Sequence, residues 1–165
     1  MKKRSKIVTL SILTAMSLIL FVVEMQIPPL TPVPGIKLGL CNIITLFILH
    51  KREYKAFDAV LVVIARVLLA GLITGSATSL IFSFCGGIAA VLAMIGLRRL
   101  FGGRLVPVVS VAGAVTHNVT QVIVAMLVYG SMSVLLYLPI LVLGAILSGL
   151  LTGFVVVLVL SRLKD

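Results

Sequence analysis

Positive charge in this chain is gathered into four clusters that fall at every second boundary between apolar stretches. That spacing limits the fold more than any other feature. Lys2, Lys3, Arg4 and Lys6 precede the first stretch, and Lys51, Arg52 and Lys55 follow the second. Arg98, Arg99 and Arg104 follow the fourth, and Arg162 and Lys164 follow the sixth. These clusters hold 12 of the 14 basic residues. Lys and Arg beside membrane spans are retained on the cytoplasmic side. The pattern therefore predicts an even number of spans with both termini inside: an all-α integral membrane protein, built as a single six-transmembrane-helix bundle. Lys37 and Arg66 stand outside the pattern and need another reason.

The apolar content agrees. The chain is 61% hydrophobic and 11% charged, with a mean hydropathy of +1.33. A soluble domain of 165 residues cannot hide that much apolar surface. A net charge of +10 is a trait of nucleic-acid binders, but here the cations sit in short loops between spans, where they favour an anionic leaflet of the bilayer. No nucleic-acid partner is expected. Cys41 and Cys85 both lie in apolar context and read as buried thiols rather than a disulfide or a zinc site.

Lys2 to Lys6 followed by an apolar run resembles the start of a signal peptide. No small-x-small cleavage site follows, and the run is long enough to span, so it reads as a retained first helix. The spans are expected at about 7–25, 36–50, 56–73, 79–97, 105–129 and 134–160. Four of the six prolines crowd into residues 28–35, which rules out a regular helix there. The second helix would reach only about 22 Å, short of the roughly 30 Å hydrocarbon core. Irregular backbone at membrane depth is tolerated where it is buried in protein or lines a cavity. This is the first pointer to a site.

Polar residues inside the spans give the second. Ionisable groups at depth are costly and face an interior or a water-filled cavity. Arg66 lies about halfway along the third helix, with two readings open. It pairs with helix-end carbonyls, Glu24 or Asp58 (about 12 Å away along the axis), or it meets an anionic ligand. Lys37 either snorkels to the interface or stands at the mouth of the same pocket. Asn42 is interhelical glue or a ligand contact. On the fifth helix Ser110, Gly113, His117, Thr120 and Gln121 share one stripe, flanked by Thr116 and Asn118. Ser76, Ser79 and Ser83 recur at helical spacing around the start of the fourth. Aromatic walls are expected from Phe82, Phe84 and Tyr129. Small residues mark the first helix (Ser11, Ala15), the fourth (Gly86, Ala89, Ala90, Ala93) and the sixth (Ala145, Gly149, Gly153). Such residues let helices approach closely.

Catalysis finds little support. The four carboxylates are Glu24, Glu53, Asp58 and Asp165, and no two form a close pair within a span. Magnesium-dependent diphosphate chemistry needs such groups. No phosphate-binding Gly-x-x-x-x-Gly-Lys-Ser/Thr loop is present. No metal site and no directly bound cofactor are expected.

A resemblance adds to this reading. Six short spans, a proline-rich first loop and a small-residue pair on the first helix are similar to the substrate-binding S components of energy-coupling factor importers. The stretch Pro34-Gly35-Ile36-Lys37-Leu38-Gly39-Leu40-Cys41-Asn42-Ile43 and the run Gly113-Ala114-Val115-Thr116-His117-Asn118-Val119-Thr120-Gln121 resemble the Gx transporter family, also described as heptaprenyl diphosphate synthase component I. The resemblance implies a multi-pass protein of the bacterial cytoplasmic membrane with an outward pocket. Its substrate would be a small anionic vitamin or precursor, flavin-like or quinone-precursor-like, held by Lys37, Asn42, Arg66, Ser79, Ser83, His117, Asn118 and Gln121. It also implies a membrane coupling subunit docked on the first helix and two cytoplasmic ATPases that use ATP. Where S components carry two alanines four apart, this chain has Ser11 and Ala15. Prenyl diphosphate synthases carry aspartate-rich motifs that this chain lacks, so the synthase name implies at most a non-catalytic accessory subunit binding a prenyl lipid.

Overall fold

The computed structural model describes residues 3–26, 40–75 and 77–163. The proline-rich segment, Lys37 and Ser76 lie outside the described residues. Six α-helices account for nearly all of the rest: α1 (Lys3–Gln26), α2 (Asn42–His50), α3 (Ala56–Thr74), α4 (Ala77–Leu100), α5 (Val106–Tyr129) and α6 (Leu138–Arg162). Among the described residues five segments are long and apolar enough to cross a membrane: α1, α3, α4, α5 and the 132–162 stretch. The protein is therefore a multi-pass, all-helical membrane protein. Its large apolar side chains point outward as freely as inward, with Leu72 81% and Leu127 78% exposed. That suits a lipid solvent and would not suit water.

Two elements differ from the sequence expectation. The second helix begins at Asn42, for Leu40 and Cys41 form a turn closed by Ile43 N–H donating to the Leu40 carbonyl at 3.1 Å. Its 9 residues reach only about 14 Å, less than half the hydrocarbon core. The sixth helix does not run unbroken from Val134. Residues Met132–Tyr137 form a 3₁₀ turn, and Pro139 then occupies the first turn of α6. Proline lacks the N–H that would continue a preceding helix, so it starts α6 afresh. Gly75 and Gly130 end α3 and α5 in the left-handed region, at φ +63° and +61°, where a Cβ would be strained.

The short α2 is the centre of the bundle. It touches each of the other five α-helices, while α1, α3, α4, α5 and α6 pack in sequence around it. Among the described residues α1 and α6 do not touch. Leu46, Ile48 and Leu49 of α2 are fully buried, with Val62 and Val63 of α3, Met94 of α4, Val109 of α5 and Val156 of α6 in the same core. Because α2 is short, it fills only one half of the bundle axis. The other half is left to side chains.

The charge clusters collect at the filled end. Lys6 of α1 pairs with Asp58 of α3 at 2.6 Å, and the same carboxylate accepts from the Lys55 N–H at 2.6 Å, which caps the start of α3. Asp58 is thus engaged at the helix end and is not a partner for Arg66. Asp58→Asn, which keeps an acceptor for Lys55, is expected to cost about 1 kcal/mol through the lost ion pair. Asp58→Ala is expected to cost about 2–3 kcal/mol, since it also orphans the backbone N–H. Thermal unfolding of both variants in detergent checks the order.

Candidate functional site in the vacant half of the bundle

The half of the axis that α2 leaves empty holds a cavity of about 60 Å³. That is room for about four waters at roughly 15 Å³ each. Every helix contributes to its wall. Cys41 and Asn42 at the start of α2 form the floor. Around them stand Phe21 and Glu24 of α1, Arg66, Val67 and Ala70 of α3, and Ser83 of α4. Ala114, His117, Asn118 and Gln121 of α5 and Ser148 of α6 complete it.

Arg66 dominates its chemistry. The residue is only 5% exposed, and Nε has no hydrogen-bond partner. Among the described residues no ion pair joins it to a carboxylate. A cation so placed is expensive unless something anionic or strongly polar meets it. The positive end of α2 adds to the field. Its N-cap residue, Cys41, supplies no side-chain cap to the first-turn N–H groups, and these carry the positive partial charge of the helix dipole. Ser17 of α1, fully buried, donates to the Cys41 carbonyl at 3.1 Å and holds that end in place. Glu24, 8% exposed, brings a carboxylate to the same wall.

Two adjacent glycines of α4 make the close packing possible. A Cβ at Gly87 would stand 3.2 Å from Val63 Cγ1 and 3.8 Å from Arg66 Nη2. A Cβ at Gly86 would stand 3.0 Å from His117 Cε1, His117 Nδ1 and Gln121 Cγ. The glycine pair therefore lets α3 and α5 approach α4 from either side and brings Arg66 and His117 to one cavity. Asn118 donates from Nδ2 to the Leu141 carbonyl of α6 at 3.0 Å, so it ties α5 to α6 as well as lining the space. Ser110 is not part of the cavity. It bonds Thr152 across the α5–α6 contact at 2.8 Å.

Of the residues expected to bind substrate, the structure brings Asn42, Arg66, Ser83, His117, Asn118 and Gln121 together. Ser79 does not line the cavity, and Lys37 lies outside the described residues. The expected aromatic wall is also absent from the lining. Phe82 packs edge-to-face on Tyr129 with centroids 6.1 Å apart, and Phe84 is 38% exposed. The aromatic residue that does line the space is Phe21. Sequence reasoning missed Phe21 and Ser148. Both sit on stretches whose residues read as lipid-facing or packing, and no spacing signal sets them apart. Ser11 and Ala15 lie exposed on α1. Cys41 is buried and Cys85 half-buried, and the two are not joined in a disulfide.

No curated protein and no solved structure matches the chain. A family model described as heptaprenyl diphosphate synthase component I matches residues 13–159, a span that includes all six helices in whole or in large part. The chain belongs to the heptaprenyl diphosphate synthase component I family.

Proposed function

We propose that the protein is the substrate-binding membrane subunit of an energy-coupling factor importer. It captures a small molecule with an anionic group from outside the cell and delivers it with a coupling subunit and two cytoplasmic ATPases. In this reading α2 belongs to a sixth crossing, and both termini lie in the cytoplasm. The observation that carries the proposal is Arg66: a buried cation with no ion-pair partner among the described residues, beside the N-terminal end of α2, in a cavity walled by hydrogen-bonding side chains. This arrangement suits capture of an anion. As it stands the cavity admits an anionic group. A flavin-like or quinone-precursor-like body enters only as surrounding side chains move apart. The lining lacks a close carboxylate pair, so the chain is not expected to catalyse a reaction alone. Ser11 and Ala15, exposed on α1, offer a smooth face for the coupling subunit.

The family's description favours a second reading, a non-catalytic membrane partner of prenyl diphosphate synthesis. Affinity purification from mild detergent separates the two. Recovery of a coupling protein with ATPases, lost on Ser11→Leu/Ala15→Leu while bound small molecules persist, is the result expected. Recovery of a soluble prenyl synthase instead, unaffected by that double substitution, would overturn the importer reading.

A further inference from the structure

A second concavity opens at the other end of the bundle, where the charge clusters collect. It is a wide groove of about 1270 Å³. Lys51 and Arg52 reach it from the turn after α2. Arg98 and Arg99 reach it from the last turn of α4, and Arg104 from the loop beyond. Among the described lining residues Glu53 is the one carboxylate, and it stands 4.0 Å from Lys51. The nearby Asp58 is engaged by Lys6 and the Lys55 N–H. Among the described residues the lining therefore carries a surplus of positive charge that no side chain neutralises.

Retention of cations beside membrane spans explains their number. It does not explain why they converge on one concavity, nor why Lys51 and Arg98 are half-buried rather than spread into water. His50 and Ser161 add two polar groups to the wall, and Val106, Val157, Leu160 and Leu163 give it an apolar side. Val157 and Leu160, on the last turns of α6, continue the groove down into the membrane-spanning segment. A free anion would use the cations and leave that wall unused, as would an acidic protein segment. An amphiphile uses both, since guanidinium groups grip phosphate oxygens in pairs while its chain stays in the hydrocarbon beside α6.

We infer that this groove seats the phosphate headgroup of a membrane amphiphile, with the chain laid along Val157 and Leu160. The site is separate from the Arg66 cavity and does not depend on the importer reading. Native mass spectrometry of the full-length protein released from a neutral detergent tests it. The probes are a C15 prenyl diphosphate, phosphatidic acid, their neutral counterparts (the C15 alcohol and diacylglycerol) and inorganic pyrophosphate.

The expected result is one phosphate amphiphile per chain, held at least tenfold more tightly than its neutral counterpart or pyrophosphate. Arg98→Gln/Arg104→Gln weakens it at least tenfold, and Arg66→Met leaves it unchanged. Preference for the prenyl diphosphate or for phosphatidic acid supports the site and names the source. Equal retention of neutral and phosphate amphiphiles overturns the inference without recourse to any variant. So does pyrophosphate binding as tightly as the amphiphiles, and so does displacement of both amphiphiles by a polyglutamate peptide.

Discussion

Arg66→Met is expected to abolish ligand capture and to leave the protein at least as stable as the parent. The two outcomes have one cause. In the absence of ligand the guanidinium is buried at 5% exposure with no ion-pair partner among the described residues. An apolar side chain of similar volume relieves that desolvation, and exchanges of buried charge for apolar groups are neutral or stabilising by about 1–4 kcal/mol. In the loaded state the balance reverses. Removing one partner of a buried charge pair costs about 2–5 kcal/mol, a loss of roughly 30-fold to several thousand-fold in affinity. Arg66→Lys keeps the charge but not the planar fork, and falls between. Mass spectrometry of small molecules that copurify, set beside thermal unfolding of the same preparations, reads both quantities. A fall in the melting midpoint with copurified ligand unchanged would show that Arg66 is a structural cation instead.

That prediction is legible in outline in the sequence. Arg66 stands out as a cation in mid-span, outside the charge pattern that accounts for nearly all the others. His117 and Gln121 drew notice because a spacing of four puts them on one face, and the structure sets both against Gly86. The five long helices follow directly from apolar length. What failed to show was depth. Ser79 and Ser83 share a face of α4, but they stand about 6 Å apart along the axis, and the cavity reaches only the deeper one. Periodicity gives the face of a helix and not the level at which a neighbouring helix stops. The level here is set by α2, which begins at Asn42 within a stretch that reads as one helix over 36–50. Asp58 was another matter of level: it serves the helix end with Lys6, not the mid-span cation. Gly86 reads in the sequence as a generic small packing residue and Gly87 is not singled out; the structure sets the His117 ring against the first, and Val63 and the Arg66 guanidinium against the second.

The same limit applies to the seam between α5 and α6, where the second large effect is expected. Gly149→Ala and Gly153→Ala should each lower the melting midpoint, although alanine is the better helix former. A Cβ at Gly149 would stand 2.7 Å from the Val111 Cα, and one at Gly153 would stand 2.6 Å from the Pro107 Cα. Both obstacles are backbone, so no rotamer change relieves them, and α6 must move off α5. Overpacking of this kind costs about 1–3 kcal/mol, against about 0.5–1 kcal/mol gained from helix propensity. The net loss, centred on about 1 kcal/mol, corresponds to roughly 2–5 °C at about 2–4 °C per kcal/mol. Gly96→Ala is the control, for nothing lies within 4 Å of its added Cβ, and its midpoint should hold or rise. An equal fall in all three would mean that close approach is not what these glycines provide. The seam also reaches the cavity. Ser148 lies beside Gly149 and lines the wall, and Asn118 is tied to the Leu141 carbonyl across the same contact. A displaced α6 should therefore weaken ligand capture along with stability, whereas Arg66→Met separates the two. The contrast between these variants distinguishes a residue that binds from residues that hold the binding wall in place.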